Sequence, residues 1–235
     1  MPRPPTRGEL LLYRACRAVA VGASVLYYPG RVIGKENVPP EGPYILAPVH
    51  RSYVDWLLVA RLTRRRLRYI VKAEVWKSKP VGRFIEALGA FPVHRSGADR
   101  EALERSLQVL AGGEPLVMFP EGTRRTGPVV EDLREGVAYL ALRAGVPIVP
   151  VGIAGSEEAM PRGSVLPRPR RITFVVGSPL VPSVSSPPGA PAAAGTQTRP
   201  ARVSRRAMKE LSDEVQASIQ HVFDEARRAA GSKSA

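Results

Sequence analysis

The sequence predicts an α/β fold: a single layered domain with a mixed, mostly parallel sheet flanked by helices, plus an apolar N-terminal helix and a C-terminal helix. Three observations predict it. Short, nearly all-apolar runs recur at 44–47, 67–71, 90–93, 115–119, 148–151 and 172–176, as in strands covered on both faces. Segments of helical character separate them, at 52–62, 80–88, 98–110 and 130–144. A length of 235 residues with 44% apolar composition is enough for one sizeable core.

The elements follow in order. Residues 10–28 read LLLYRACRAVAVGASVLYY, interrupted by Arg14 and Arg17. The uninterrupted run, 18–28, falls short of the roughly 20 residues needed to span a bilayer. Two readings stay open: a helix packed on the domain, or an interfacial helix with its arginines at phosphate level and Leu, Val and Tyr in the apolar boundary. The 80–88 segment has a proline near its start. The 98–110 segment puts Leu103, Leu107 and Leu110 on one face and sets Glu101 four before Arg105. In 130–144, Val137, Leu140, Ala141 and Ala144 share a side. Residues 182–202 are rich in proline, alanine, glycine and small polar residues, and cannot build a core. Beyond them Ser204 is a cap for a last helix, whose Met208, Leu211, Val215, Ile219 and Phe223 recur at helical spacing. Packing onto the domain is the expectation for that helix.

Charge narrows the partners. The formal net charge is +14, and most of it is arginine. Such a field favours nucleic acid, anionic lipid headgroups or phosphorylated substrates. The zinc module and the aromatic-basic sheet signature of nucleic-acid readers are both missing, so no specific nucleic acid is expected. The lone Cys16 excludes an intramolecular disulfide. Histidines at 50, 94 and 221 form no helical pair, so no metal centre is expected. There is no P-loop and no dinucleotide fingerprint.

Four stretches carry candidate chemistry. In VHRSYVD, 49–55, Ser52 as N-cap puts Asp55 at N3, where the positive helix end favours its charge. Asp55 would then turn back toward His50, fix its tautomer and leave the other ring nitrogen as an acceptor, the base half of a dyad. A capped surface turn is the plainer alternative. Ser52 is not read as a nucleophile, because no Gly-x-Ser-x-Gly elbow surrounds it. In GAFPVHR, 89–95, Arg95 emerges after an apolar strand, suited to bidentate phosphate recognition, whereas His94 is read as incidental. In LVMFPEGTRRTGP, 116–128, Gly122 permits a tight turn that presents Glu121, Thr123 and Arg124 at a strand end. Glu121 is expected to orient Arg124 or to hydrogen-bond a substrate hydroxyl. In VPIVPVGIAG, 146–155, Pro150 cannot donate to a ladder, so the strand is irregular or changes partners there; a channel wall and plain core both fit.

Together these stretches resemble the 1-acylglycerol-3-phosphate acyltransferase family over about residues 30–182. Its first motif, a histidine, four residues and an aspartate, is matched by His50 to Asp55. Its second is matched by Gly89 to Arg95, its third, Phe-Pro-Glu-Gly-Thr-Arg, by Phe119 to Arg124, and its fourth by Val146 to Pro150. ENVP at 36–39, VKAE at 71–74 and VVGSPL at 175–180 are further family-like segments. Two departures stand out: Val49 where an asparagine often precedes the histidine, and Leu133-Arg134-Glu135-Gly136 where members often carry Phe-Lys-x-Gly.

The resemblance implies an enzyme of phospholipid biosynthesis that needs no cofactor. Acyl-CoA or acyl carrier protein would donate an acyl group to the 2-hydroxyl of lysophosphatidic acid, giving phosphatidic acid. His50 and Asp55 would be catalytic. Arg95, Arg124 and Lys72 would bind the acceptor phosphate, with Glu121, Gly122 and Thr123 positioning substrate. It also implies work on the cytoplasmic face of the cell membrane, peripheral or monotopic, against an anionic surface. The expected organisation is a membrane-interface segment at 1–30, a catalytic domain at 31–182, a linker at 183–203 and an amphipathic helix at 204–230. Glycerol-3-phosphate or another lipid alcohol is the alternative acceptor. The rival of another class is a non-catalytic basic module that binds membranes or nucleic acid.

Overall fold

The computed structural model describes residues 6–72, 76–93, 98–182 and 203–231. Among the described residues seven strands form one sheet: β1 (Gly30–Ile33), β2 (Ile45–Pro48), β3 (Arg68–Lys72), β4 (Ala90–Val93), β5 (Leu116–Val117), β6 (Ile148–Ala154) and β7 (Ile172–Val176). Their order is β1-β7-β6-β2-β5-β3-β4. The contiguous β6, β2, β5, β3 and β4 are mutually parallel, whereas β7 pairs antiparallel with β6 and parallel with β1. The C-terminal ends of five strands therefore share one edge of the sheet, and β1 and β7 start at that same edge. In open α/β sheets ligands gather outside the carboxyl ends of the strands.

Helices cover both faces: α1 (Arg7–Tyr27), α2 (Asp55–Leu58), α3 (Lys79–Ala87), α4 (Ala98–Ala111), α5 (Gly136–Ala144), α6 (Ser156–Ala159) and α7 (Arg205–Gly231). The core follows from the apolar runs: β2, β6 and β7 are buried along their whole length. α7 docks on β6 and β7 through Leu211, Val215, Ile219, Val222 and Phe223. Gly152 admits it, since a Cβ there would collide with the Val222 backbone. Ser204 caps α7 as expected, its Oγ accepting the Ala207 N–H at 3.0 Å.

Pro150 sits at a break between partners. Val151–Ala154 pairs with β7, whereas Ile148 pairs with Leu180 instead, and the Pro150 carbonyl accepts from Gly177 N–H at 3.0 Å. The missing proline N–H thus falls where the ladder is already interrupted. Asn37, in the ENVP segment, donates to the Val176 carbonyl at 2.9 Å and ties that segment to VVGSPL.

Some boundaries differ from expectation. β1 was not foreseen. α2 is one short turn followed by a 3-10 turn, Val59–Arg61. α5 starts at Gly136 rather than 130; the backbone groups of Pro128 and Val130 are instead paired with Gln216 and Gln220 of α7. Most of the expected linker, 183–202, lies outside the described residues.

α1 is longer than its uninterrupted apolar run suggested. A capping box at Thr6 and Glu9 starts it, and it runs 21 residues, about 30 Å. By length and composition it could cross a membrane, yet one side is tied to the domain. Tyr13 Oη donates to the Arg65 carbonyl at 3.1 Å, and burial pushes its phenol above the ordinary value. Arg17 donates to the Ala60 carbonyl at 2.8 Å and to the Thr63 carbonyl. Arg17 therefore closes the end of the 3-10 turn, whereas Arg14 is exposed. The other side of α1 exposes Leu11, Leu12, Val19, Val25 and Leu26.

Candidate active site

β2 and β5 are adjacent and parallel, so the loops that leave them meet at one edge. The first carries His50 to Asp55, the second Phe119 to Arg124. His50 Nδ1 lies 3.0 Å from Asp55 Oδ2. The same oxygen accepts the backbone N–H groups of Arg51 at 2.8 Å and Ser52 at 2.7 Å. Asp55 is fully buried. An ionised carboxylate only accepts, so the proton of a neutral His50 sits on Nδ1 and Nε2 is left with its lone pair. The imidazole is 18% exposed and stacks on Phe119, with ring centroids 4.1 Å apart. Nε2 has no partner among the described residues. Such a ring can take a proton from a hydroxyl brought to its open side.

Ser52 reaches this geometry differently from expectation. Its hydroxyl donates to the Met160 carbonyl at 3.0 Å and does not cap the helix. The helix starts at Asp55 itself, after a turn through Tyr53 and Val54. Asp55 reaches back over that turn and accepts the N–H groups of Arg51 and Ser52, which precede the helix.

Glu121 joins the two loops. One of its oxygens accepts the His50 N–H at 2.8 Å, and both accept from Arg51 Nη1, at 2.6 and 2.8 Å. Its partner is thus Arg51, not Arg124. Both side chains are 1% exposed. Arg51 continues to the carbonyls of Gly127 at 3.1 Å and Val129 at 2.9 Å, with its guanidinium 5.0 Å from the Phe223 ring centroid. Removing one partner of such a pair leaves an uncompensated buried charge, which costs about 3–5 kcal/mol.

Behind Arg51, α7 holds the segment 128–130. Gln220 Oε1 accepts the Val130 N–H at 2.7 Å, Gln220 Nε2 donates to the Pro128 carbonyl at 3.0 Å, and Gln216 Nε2 donates to the Val130 carbonyl at 3.1 Å. Sequence reading missed Arg51, Phe119, Gln216 and Gln220. Arg51 carried one usable signal, its place inside the histidine-to-aspartate interval. The glutamines carried none, since two polar residues four apart on a helix read as a solvated stripe.

At the rim, Arg124 lies flat on Tyr53, its Cζ 3.3 Å from the ring centroid, a cation–π contact that fixes the guanidinium plane. Its Nη1 is buried with no hydrogen-bond partner among the described residues. Gly122 has φ 63°, and a Cβ there would run into the Arg134 side chain. Thr123 is exposed beside it. Lys72 ends β3 on the same edge, but its side chain lies outside what is described, as do Arg95 and His94.

Comparison with known proteins matches residues 30–154 to the acyltransferase family model. A 1-acyl-sn-glycerol-3-phosphate acyltransferase of Bacillus subtilis is 28% identical over 151 residues, 64% of this chain and 73% of that protein. One of Chlamydomonas reinhardtii is 30% identical over 170 residues, 70% of this chain; the chain spans 50% of that relative's length. The crystal structure of a 1-acyl-sn-glycerophosphate acyltransferase from Thermotoga maritima superposes with a TM-score of 0.73 at 23% identity, covering 99% of this chain and 86% of that one. That likeness speaks for the fold alone. The family match runs from β1 to the end of β6 and takes in both site loops, so the chain belongs to the acyltransferase family, in the likeness of 1-acylglycerol-3-phosphate acyltransferases.

Proposed function

We propose that this protein transfers a fatty acyl group from acyl-CoA or acyl carrier protein to the 2-hydroxyl of 1-acylglycerol-3-phosphate, forming phosphatidic acid. The observation that carries the reading is the imidazole of His50, held through Nδ1 by buried Asp55 with Nε2 open. In a member of the acyltransferase family this is the arrangement that acyl transfer to an alcohol requires.

His50 Nε2 takes the proton from the acceptor hydroxyl as its oxygen attacks the thioester carbonyl carbon. The tetrahedral intermediate collapses, the carbon–sulfur bond breaks, and the imidazolium returns the proton to the leaving thiolate. Asp55 holds the ring in one tautomer and offsets its charge in between. No acyl-enzyme forms. The partly exposed guanidinium of Arg124, set against Tyr53, supports a place for the acceptor phosphate at the rim, and the resemblance assigns Arg95 and Lys72 to the same phosphate. Arginine suits phosphate by its planar donors, and fixing the phosphate positions the hydroxyl. Glu121 acts on substrate indirectly, by holding the loop that carries His50. Gly122 and Thr123 shape the turn beside Arg124. The exposed apolar side of α1 supports attachment to a membrane surface.

The test is thiol release from palmitoyl-CoA by the full chain in mixed vesicles, with lysophosphatidic acid and glycerol-3-phosphate offered separately. Release that depends on lysophosphatidic acid and falls about 10²–10⁴-fold in His50→Ala is expected. A lyso-ornithine lipid belongs in the same assay, because a lyso-ornithine lipid O-acyltransferase of Pseudomonas aeruginosa is 29% identical over 123 residues. Release with that acceptor alone would keep the base and move the assignment away from phosphate. Undiminished turnover in His50→Ala would remove the base.

A further inference from the structure

The connection from β6 to β7, residues 155–171, leaves the sheet at the edge where His50 and Phe119 emerge. Two of its anchors bracket its tip. Its start is held to the first site loop, where Ser52 Oγ donates to the Met160 carbonyl. Its far side is held to α1, where Tyr27 Oη donates to the Pro167 carbonyl at 2.9 Å. Between the anchors the chain turns at Pro161–Ser164 and lifts Val165 and Leu166 into the open, 87% and 77% exposed. Four arginines flank this tip along the chain, Arg162, Arg168, Arg170 and Arg171, all exposed. None of them forms an ion pair with a described carboxylate. On the same connection Glu157 is turned inward to the Gly127 N–H at 3.2 Å, leaving Glu158 as its exposed carboxylate.

Nothing within the fold gains from two bare aliphatic side chains at a convex tip. Their neighbours are of the same kind: Val25, Leu26 and Tyr27 end α1 beside Pro167, and Tyr53 and Trp56 stand exposed just past His50. An exposed apolar tip flanked in the chain by exposed arginines suits the layering of an anionic bilayer, acyl chains beneath and phosphates above. Aromatic side chains belong at the same depth. A protein groove would need a ridge to fill it, and this surface has a point.

We infer that residues 160–171 are a second membrane-contacting element, which inserts Val165 and Leu166 into an anionic leaflet and, with the end of α1, sets the His50 edge against the lipid surface. This rests on the reading that the protein works at a bilayer, but not on which lipid is acylated. Docking through α1 alone would leave the domain free to roll about the helix axis. A contact at the second point removes that freedom.

The experiment is co-sedimentation of the full chain with vesicles of phosphatidylglycerol and phosphatidylcholine, for wild type, Val165→Asp/Leu166→Asp, and Val181→Asp. Val181 is a matched control: it is 75% exposed and follows Leu180, which pairs with Ile148 at the opposite edge of the sheet. The double variant is expected to lose about ten-fold or more in binding, with Val181→Asp near wild type and all melting temperatures equal. A dye on Leu166→Cys, in a Cys16→Ser background, is expected to shift to the blue on vesicles. Neutral phosphatidylcholine vesicles are expected to bind several-fold more weakly. Wild-type binding that the double variant retains, with no dye shift, overturns the second contact and leaves the bilayer reading standing. No vesicle binding by wild type removes both. Loss of binding to an acidic carrier protein, with vesicle binding intact, would overturn the lipid assignment and make the tip a protein contact.

Discussion

The two terminal helices are built on opposite plans. α7 is 27 residues long, carries most of its charges outward, and buries Leu211, Val215, Ile219, Val222 and Phe223 against the sheet. α1 is 21 residues long, buries only Tyr13 and Ser24, and turns Leu11, Leu12, Val19, Val25 and Leu26 outward. The more polar helix is thus the better buried of the two. Burial here follows the placement of apolar side chains, not their number. α7 completes the core and braces the site from behind, whereas α1 holds the domain by a few polar ties and keeps an apolar face for something outside the chain.

That contrast can be broken in several places. The largest expected effect is on the brace. Arg51→Ala should destabilise the fold by about 3–5 kcal/mol, read by urea unfolding, because Glu121 is left charged in the interior. Phe223→Ala should cost about as much, roughly 3–5 kcal/mol, through a cavity between α7 and the sheet. It should also lower kcat, since Arg51 loses the ring beside it. Gln220→Ala should cost about 1–3 kcal/mol by leaving the Val130 N–H unpaired. Its readout is kcat falling with KM held, restored in part by Gln220→Glu through the retained acceptor. On α1, Leu26→Asp should leave urea unfolding within about 0.5 kcal/mol, yet reduce vesicle binding several-fold. The smallest effect belongs to Lys209→Ala, whose partner Asp213 lies on the solvent side of α7; no change in melting temperature or activity is expected. An α1 variant that unfolds the domain, or an α7 core variant that does not, would collapse the distinction.

Much of this was legible in the sequence, for physical reasons. β7 coincides with its apolar run, because a strand buried on both faces has nothing else to be, and β4 coincides with its own, with Ala90 and Phe91 buried. β1 was missed because its four residues, GRVI, lie partly exposed at the sheet's edge and show no such run. β5 shrinks to two residues, Leu116–Val117, because the chain after it is already bending into the site. The pairing of His50 with Asp55 was legible from the interval and the expected helix start, although the turn that achieves it is not the one Ser52 suggested. Arg51 was illegible for the opposite reason: an arginine beside a polar turn reads as surface until its carboxylate, seventy residues on, is known. Long-range pairs of this kind leave no periodic trace.

The order of strands has a kinetic consequence. β5 follows β3 and β4 in the chain but lies between β2 and β3. Only when it is threaded into that gap does Glu121 reach Arg51 and the amide of His50. A chain stalled before that insertion can own a complete histidine and aspartate and still have no rigid cradle for them. Recovery of turnover on refolding would then report when the middle of the sheet closes, a step slowed by the long loops it must tie off.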